Sequence, residues 1–270
     1  MPEGPEAQTI VTGLRPLIGA VIQSVHLGRK DFLKTGRPGD LQHLCGGRLV
    51  DVSRRGKCVV LHIESRRLLL QLGMAGRVNI SAAEDPLAGH THLVLALGDG
   101  REIRYANARR IAAGVHLLEG DRQGPAAGMG PEATQITATE FISRVGRRKA
   151  PIKAVLLNQS VLAGVGNIYS DEALFRAGIR PGRRADRLHA DRLRRLHRAV
   201  RGVLAEAIRA GGSTIKGANP YAGAGGELGQ FTLRHKVYGR YGQKCRACGD
   251  TLRRTLIGGR TSTFCPTCQS

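Results

Sequence analysis

The chain has 270 residues, of which 42 are Lys or Arg and 21 are Asp or Glu, a net charge of +21. That surplus points to a polyanionic partner, most simply nucleic acid, while 41% hydrophobic residues exclude a disordered polyelectrolyte. No apolar run approaches the roughly 18 residues of a membrane span, so no membrane role is expected. Arg supplies 34 of the 42 basic residues. Genome base composition accounts for Arg in place of Lys, but not for a twofold excess of positive over negative charge.

The opening Met1-Pro2-Glu3-Gly4-Pro5-Glu6 lacks the basic region and apolar stretch of a signal peptide, so a reducing, cytoplasmic setting is expected. Ile10, Val11, Leu14 and Leu17 then follow a helical period with one buried face, and Pro5 suits a first helical turn. From Ala20 to about Leu118 the pattern changes to short strands: Val21–Leu27, Leu49–Val52, Cys58–Ile63, Leu68–Leu72, Leu93–Leu97 and Glu102–Tyr105. Gly98-Asp99-Gly100 makes a hairpin turn between the last two. Many short strands imply an antiparallel sandwich over residues 1–120.

Residues 121–135, with Gly124, Pro125, Gly128, Gly130 and Pro131, show no apolar period and read as a linker. Helical patterns follow at Ala138–Val145, Pro151–Asn158, Ile168–Ala177 and Arg187–Ala210, the last stopped by Gly211-Gly212. A helical domain is thus expected at 136–232 and a cysteine module at 233–270. No internal repeat is visible.

Cys245-x-x-Cys248 and Cys265-x-x-Cys268, separated by 16 residues, form the strongest local signal. Two such knuckles offer four thiolates to one tetrahedral Zn²⁺, and a closed four-sulfur site is structural. The segment between them alternates enough for a β-hairpin that metal binding must help to fold, with Arg260 either at a DNA-facing tip or simply solvated. Cys45 and Cys58 read as small buried hydrophobes. Gly164-Val165-Gly166-Asn167 precedes a helix, so Asn167 serves either as a helix cap or, with exposed N–H groups, as a phosphate ligand. Removal of the initiator Met would leave Pro2 as a secondary amine. An α-amino group has a pKa of about 7.7 to 8 and is partly nucleophilic at neutral pH. Glu3 and Glu6 beside it are either acid–base groups or favourable charges in a first helical turn.

Pro2-Glu3-Gly4-Pro5-Glu6, Arg54-Arg55-Gly56-Lys57, Leu72-Gly73-Met74, Arg109-Arg110, the run Gly164 to Phe175 and the four-cysteine module occur in the order seen in the Fpg/Nei family of DNA glycosylases, which the chain resembles over nearly its whole length. The resemblance implies an α+β protein: an N-terminal antiparallel β-sandwich with an N-terminal helix, a helix-two-turns-helix bundle, and a β-hairpin zinc finger. It further implies a monomeric bifunctional glycosylase and β,δ-lyase of the bacterial nucleoid. Its partner would be double-stranded DNA with oxidised bases or abasic sites, held in a cleft between the domains.

On this resemblance Pro2 attacks C1′, Glu3 is the acid, Glu6 supports the site, and Lys57 completes the catalytic set. Lys57, Asn167 and Arg260 hold phosphates, and His92, Arg109 and Lys153 bind DNA. Met74, Arg109 and Ile111 fill the gap left by the flipped nucleotide, and Cys245, Cys248, Cys265 and Cys268 hold one structural zinc. The substrate class is oxidised purines such as 8-oxoguanine and formamidopyrimidines. The alternatives are a Nei-type enzyme for oxidised pyrimidines and a catalytically silent binder of damaged DNA. Two features depart from the 8-oxoguanine branch. Ile111 stands where an aromatic wedge is usual, and the opening pentapeptide is more like the Nei branch. Gly217 to Gly229 lies where the family has a mobile lesion-covering loop, and its glycines predict mobility.

Overall fold

A computed structural model describes residues 2–120, 124–214 and 221–270. The chain divides into two compact units, Met1–Ala127 with Ala210–Gln230, and Gly128–Arg209 with Phe231–Ser270. Among the described residues no helix is long and apolar enough to cross a membrane.

The first unit opens with α1 (Gly4–Leu14), which carries Pro5 in its first turn and buries Ile10, Val11 and Leu14 as the periodicity requires. The strands follow as β1 (Ile22–Leu27), β2 (Leu33–Thr35), β3 (Leu49–Arg55), β4 (Cys58–Ile63), β5 (Arg66–Gln71), β6 (Gly76–Ala82), β7 (Thr91–Leu97), β8 (Arg101–Asn107) and β9 (Gly114–Glu119). They form a four-stranded sheet, β1-β7-β8-β6, and a five-stranded sheet, β2-β9-β5-β4-β3. Inward residues of both sheets, among them Val52, Leu61, Leu70, Leu95, Ile103 and Val115, share one core with α1. Gly100 at φ +84° closes the β7–β8 hairpin.

The sandwich has three features beyond the expected strands. β2 pairs parallel to β9. β6 alternates Val78 and Ile80 with polar residues, and β9 lies between β2 and β5. In β9 the apolar run is broken by His116, which is buried because Thr35 Oγ1 and Gln71 Oε1 meet its two ring nitrogens at 2.9 and 3.1 Å. A polar residue satisfied inside a sheet leaves no periodic signal in the sequence.

The second unit contains α2 (Ala138–Gly146), α3 (Ile152–Leu157), α4 (Asn167–Ala177), α5 (Ala190–Arg209), β10 (Arg253–Ile257) and β11 (Arg260–Phe264). β10 and β11 pair antiparallel across Gly258 and Gly259, whose φ of +56° and +70° suit the two-residue turn. Their small core joins Val237, Cys245, Leu252 and Cys265, with Phe175 of α4 packed against it.

The unit boundaries differ from the sequence expectation at both ends of the helical domain. Residues 121–123 of the expected linker lie outside the described residues. Beyond them, residues 124–127 cluster with the first unit, while Gly130 N donates to Gln159 O (2.8 Å) and Ala133 N to Ala163 O (3.1 Å), so the rest of the expected linker packs within the second. Residues 210–230 cluster instead with the sandwich, for reasons that lie at α1.

Candidate functional site

Pro2, Glu3 and Glu6 are all buried at the start of α1. One carboxylate oxygen of Glu6 accepts from Glu3 N (2.8 Å), and the other from Ser213 N (2.7 Å), 207 residues along the chain. A carboxylate that accepts two backbone N–H groups is locked in place, and here it fixes the backbone of Glu3. Gly212, at φ +80°, is required beside it, since a Cβ there would lie 2.7 Å from Glu6 Oε1. Tyr221 Oη donates to Glu6 O. Thr214 Oγ1 donates to Tyr221 O (2.8 Å) and accepts from Gly229 N (2.7 Å). These bonds hold 210–230 to the sandwich. Of the expected lesion-covering loop, residues 217–220 lie outside the described residues.

Lys57 sits half-buried in the β3–β4 turn, after Gly56 at φ +59°. Arg54 ties that turn to α1: its Nη1 donates to Gly56 O (2.7 Å) and its Nε to Gln8 Oε1 (3.2 Å). The structure thus sets the turn carrying Lys57 against the helix that carries Glu3 and Glu6. The bridging roles of Gln8, Arg54, Ser213 and Tyr221 had no sequence signal, because each bond joins residues far apart in the chain or serves a backbone atom.

The three expected gap-filling residues also come together. Met74 N donates to Ile111 O (3.3 Å), and a Cβ on Gly73 would lie 2.3 Å from that same carbonyl oxygen, so two loops touch backbone to backbone. Arg109 is exposed, and Ile111 is 56% exposed. His92 corrects the expectation of a DNA contact. It is 4% exposed, its ring lies 4.3 Å from that of Phe32, and its Nε2 donates to Asn107 O (3.0 Å). The exposed histidine nearby is His90, at φ +63°.

In the second unit the turn before α4 is held by Gln159, which donates to Val165 O (2.8 Å) and accepts from Gly164 N (3.0 Å). Gly166 is the cap residue and Asn167 the first residue of the helix, so Asn167 does not cap it. Its Oδ1 is, among the described residues, the one buried side-chain polar atom without a partner. A half-turn of the amide about χ2 puts a donor there, which is what a phosphate oxygen needs. Arg260 is exposed at the start of β11.

Lys153 departs from its expected role. It is fully buried, its Nζ 2.8 Å from Asp171 Oδ1 and donating to Thr261 O (2.9 Å). Asp171 in turn accepts from Ser262 Oγ (2.6 Å) and Thr263 N (3.0 Å). These bonds pin β11, which begins at Arg260, to α3 and α4.

The Sγ atoms of Cys245, Cys248, Cys265 and Cys268 lie within 4.8 Å of one another, with pairs at 3.9 and 3.5 Å. Tetrahedral Zn–S bonds of about 2.3 Å place sulfurs about 3.8 Å apart, so the cluster fits one zinc with all four positions filled by protein. Ala247 N and Cys268 N point at Cys245 Sγ (3.5 Å) and Cys265 Sγ (3.4 Å), the donors a thiolate pair requires.

Residues 1–113 match the family model for the formamidopyrimidine-DNA glycosylase N-terminal domain, 127–219 that for the H2TH domain of the same enzymes, and 242–270 that for a zinc finger found in FPG and IleRS. The formamidopyrimidine-DNA glycosylases of Halalkalibacterium halodurans and Novosphingobium aromaticivorans are 38% and 40% identical to the chain, each alignment spanning both proteins in full. Among solved structures, Lactococcus lactis Fpg bound to abasic-site DNA superposes with a TM-score of 0.91 at 30% identity over 99% of each chain. The wild-type Lactococcus lactis protein bound to DNA with N7-benzyl-Fapy-dG gives 0.90 at 30% identity over both full lengths.

Proposed function

The chain belongs to the formamidopyrimidine-DNA glycosylase family, and from that premise we propose that it excises oxidised purines from duplex DNA and then cleaves the strand. The observation that carries this reading is the buried Glu3–Glu6 arrangement at the head of α1, immediately after Pro2.

Pro2, once it is the first residue of the mature chain, attacks C1′ of the damaged nucleotide with its nitrogen lone pair. The C1′–N bond breaks and the base leaves with a proton. Glu3 protonates the sugar ring oxygen as the ring opens, giving an iminium between Pro2 and C1′. The iminium acidifies the C2′ proton. Its loss expels the 3′ phosphate, and a second elimination expels the 5′ phosphate. Glu6, with both oxygens already accepting backbone N–H groups, is a positioning residue that holds Glu3. Lys57, Asn167 and Arg260 supply donors for phosphate oxygens, and the zinc supplies folding energy to the finger that carries Arg260.

The substrate class follows the curated relatives, named for formamidopyrimidine, rather than the Nei-like opening pentapeptide. The aliphatic Ile111 gives a thinner wedge than an aromatic ring, which weakens stacking on the bases beside the gap.

Borohydride trapping on 8-oxoguanine and abasic duplexes tests the reading, with Pro2→Gly and Glu3→Gln alongside. The processed wild-type protein forms a covalent adduct and Pro2→Gly does not, while Glu3→Gln slows excision. A wild-type protein that binds damaged DNA without an adduct is a silent binder. One that acts on oxidised pyrimidines alone is Nei-type.

A further inference from the structure

We propose that Asn107 is the positioning residue that joins the two gap-filling loops into a single wedge. The inference rests on the glycosylase reading above. Asn107 is 1% exposed and ends β8. Its side chain faces both loops: Oδ1 accepts from Arg109 N (3.1 Å) and Arg110 N (2.7 Å), and Nδ2 donates to Leu72 O (3.0 Å). Its backbone is held as well, N donating to His90 O (2.9 Å) and O accepting from His92 Nε2 (3.0 Å). A carbonyl oxygen can only accept, so His92 carries a proton on Nε2 and donates it to Asn107 O.

Asparagine suits this place because one planar group both donates and accepts. Alanine satisfies neither loop, and aspartate keeps the acceptor for Arg109 N and Arg110 N while losing the donor to Leu72 O. The loops need such an anchor. Arg110 and Ala112 have φ of +54° and +49°, and His90, bonded to Asn107 N, has +63°, conformations that L residues hold only when their surroundings over-determine them. Met74, Arg109 and Ile111 therefore enter the duplex as one rigid body whose two halves share Asn107. Without it the halves are joined only by the Met74 N–Ile111 O bond, and the pre-arranged insertion that keeps the damaged nucleotide out of the stack is weakened.

The role separates base extrusion from the chemistry at Pro2. Asn107→Ala, Asn107→Asp and Gly73→Ala are compared with wild type in two single-turnover assays: excision of 8-oxoguanine from a duplex, and borohydride trapping on a preformed abasic site in single-stranded DNA, where no stack must be opened. Asn107→Ala lowers duplex excision about 10- to 100-fold and changes single-strand trapping by less than about twofold. Asn107→Asp keeps the acceptor for both N–H groups of the Arg109 loop but sets a carboxylate oxygen against Leu72 O, so the link to the Met74 loop is cut and the selective loss persists. Gly73→Ala, whose Cβ strikes Ile111 O, reproduces the selective loss by an independent route and decides the matter if Asn107→Ala folds poorly. Equal losses in both assays, or duplex excision at the wild-type rate in Asn107→Ala and Gly73→Ala, overturn the inference. A wild-type protein with neither excision in the first assay nor trapping in the second overturns the glycosylase reading instead.

Discussion

Replacing Lys153 with Met separates a buried pin from a phosphate contact. Methionine keeps most of the lysine's volume but removes the charge opposite Asp171, which is 1% exposed. Breaking a buried pair by removing one partner costs about 3–5 kcal/mol, because the remaining charge is left without compensation. Asp171 keeps its bonds from Ser262 Oγ and Thr263 N, which places the loss at the lower end, about 3 kcal/mol. For a unit of this size that corresponds to a fall in Tm on the order of 10 °C. A second change, Asp171→Leu, removes the stranded carboxylate, and the double variant regains much of the loss even though it has two substitutions. Thermal unfolding measures the stabilities, and the salt dependence of DNA affinity measures the phosphate contacts. A lysine that neutralises a phosphate adds about 0.9 to the slope of log K against log salt. The buried geometry predicts an unchanged slope in Lys153→Met. An unaltered Tm together with a slope reduced by about one would refute the pin and restore Lys153 to the DNA-facing surface.

Two more outcomes follow from the second unit. Burial pushes the His235 imidazole down to about 4, so the native state refuses a proton that the unfolded chain takes up near its ordinary pKa of about 6.5. The stability this contributes is complete above about pH 6.5 and is lost as pH falls towards 4, up to about 3 kcal/mol. Tm measured between pH 7 and 5 should therefore fall less in His235→Phe, which keeps the ring contacts to Phe231 and Tyr238, than in wild type; parallel curves would contradict the assignment. Chelation of the zinc, or Cys265→Ser, should expose the chain between Cys245 and Cys268 to proteolysis and weaken DNA binding while leaving the sandwich melting transition in place. Resistance to protease after verified loss of the metal would show that the hairpin folds on its own packing.

The legible parts of the molecule were those written in local patterns. The buried face of α1, the β7–β8 turn, the Gly258-Gly259 turn and the cysteine spacing each depend on residues near one another in the chain, and the structure places them as their periods and turn types require. β9 was not legible, since it is a short strand interrupted by a histidine whose partners, Thr35 and Gln71, come from two other strands. Nor was the membership of 210–230 in the sandwich unit, which depends on Glu6 reaching Ser213. At the candidate site, Pro2, Glu3, Glu6, Lys57, Met74 and Arg109 could be named from motifs, whereas Gln8 and Asn107 could not, and Arg54 stood in a motif without its bond to Gln8.

The sequence by itself determined the chemistry available: an amine-bearing start beside two carboxylates, a strong positive charge, four thiolates at zinc spacing. The tertiary structure alone decided which polar residues face outward. Lys153 and His92 are indistinguishable in a sequence from their solvated neighbours Lys149 and His90. Only once the chain has closed on Asp171 and Asn107 does burial turn a would-be DNA contact into a support, because a polar group removed from water must find its partner inside the fold.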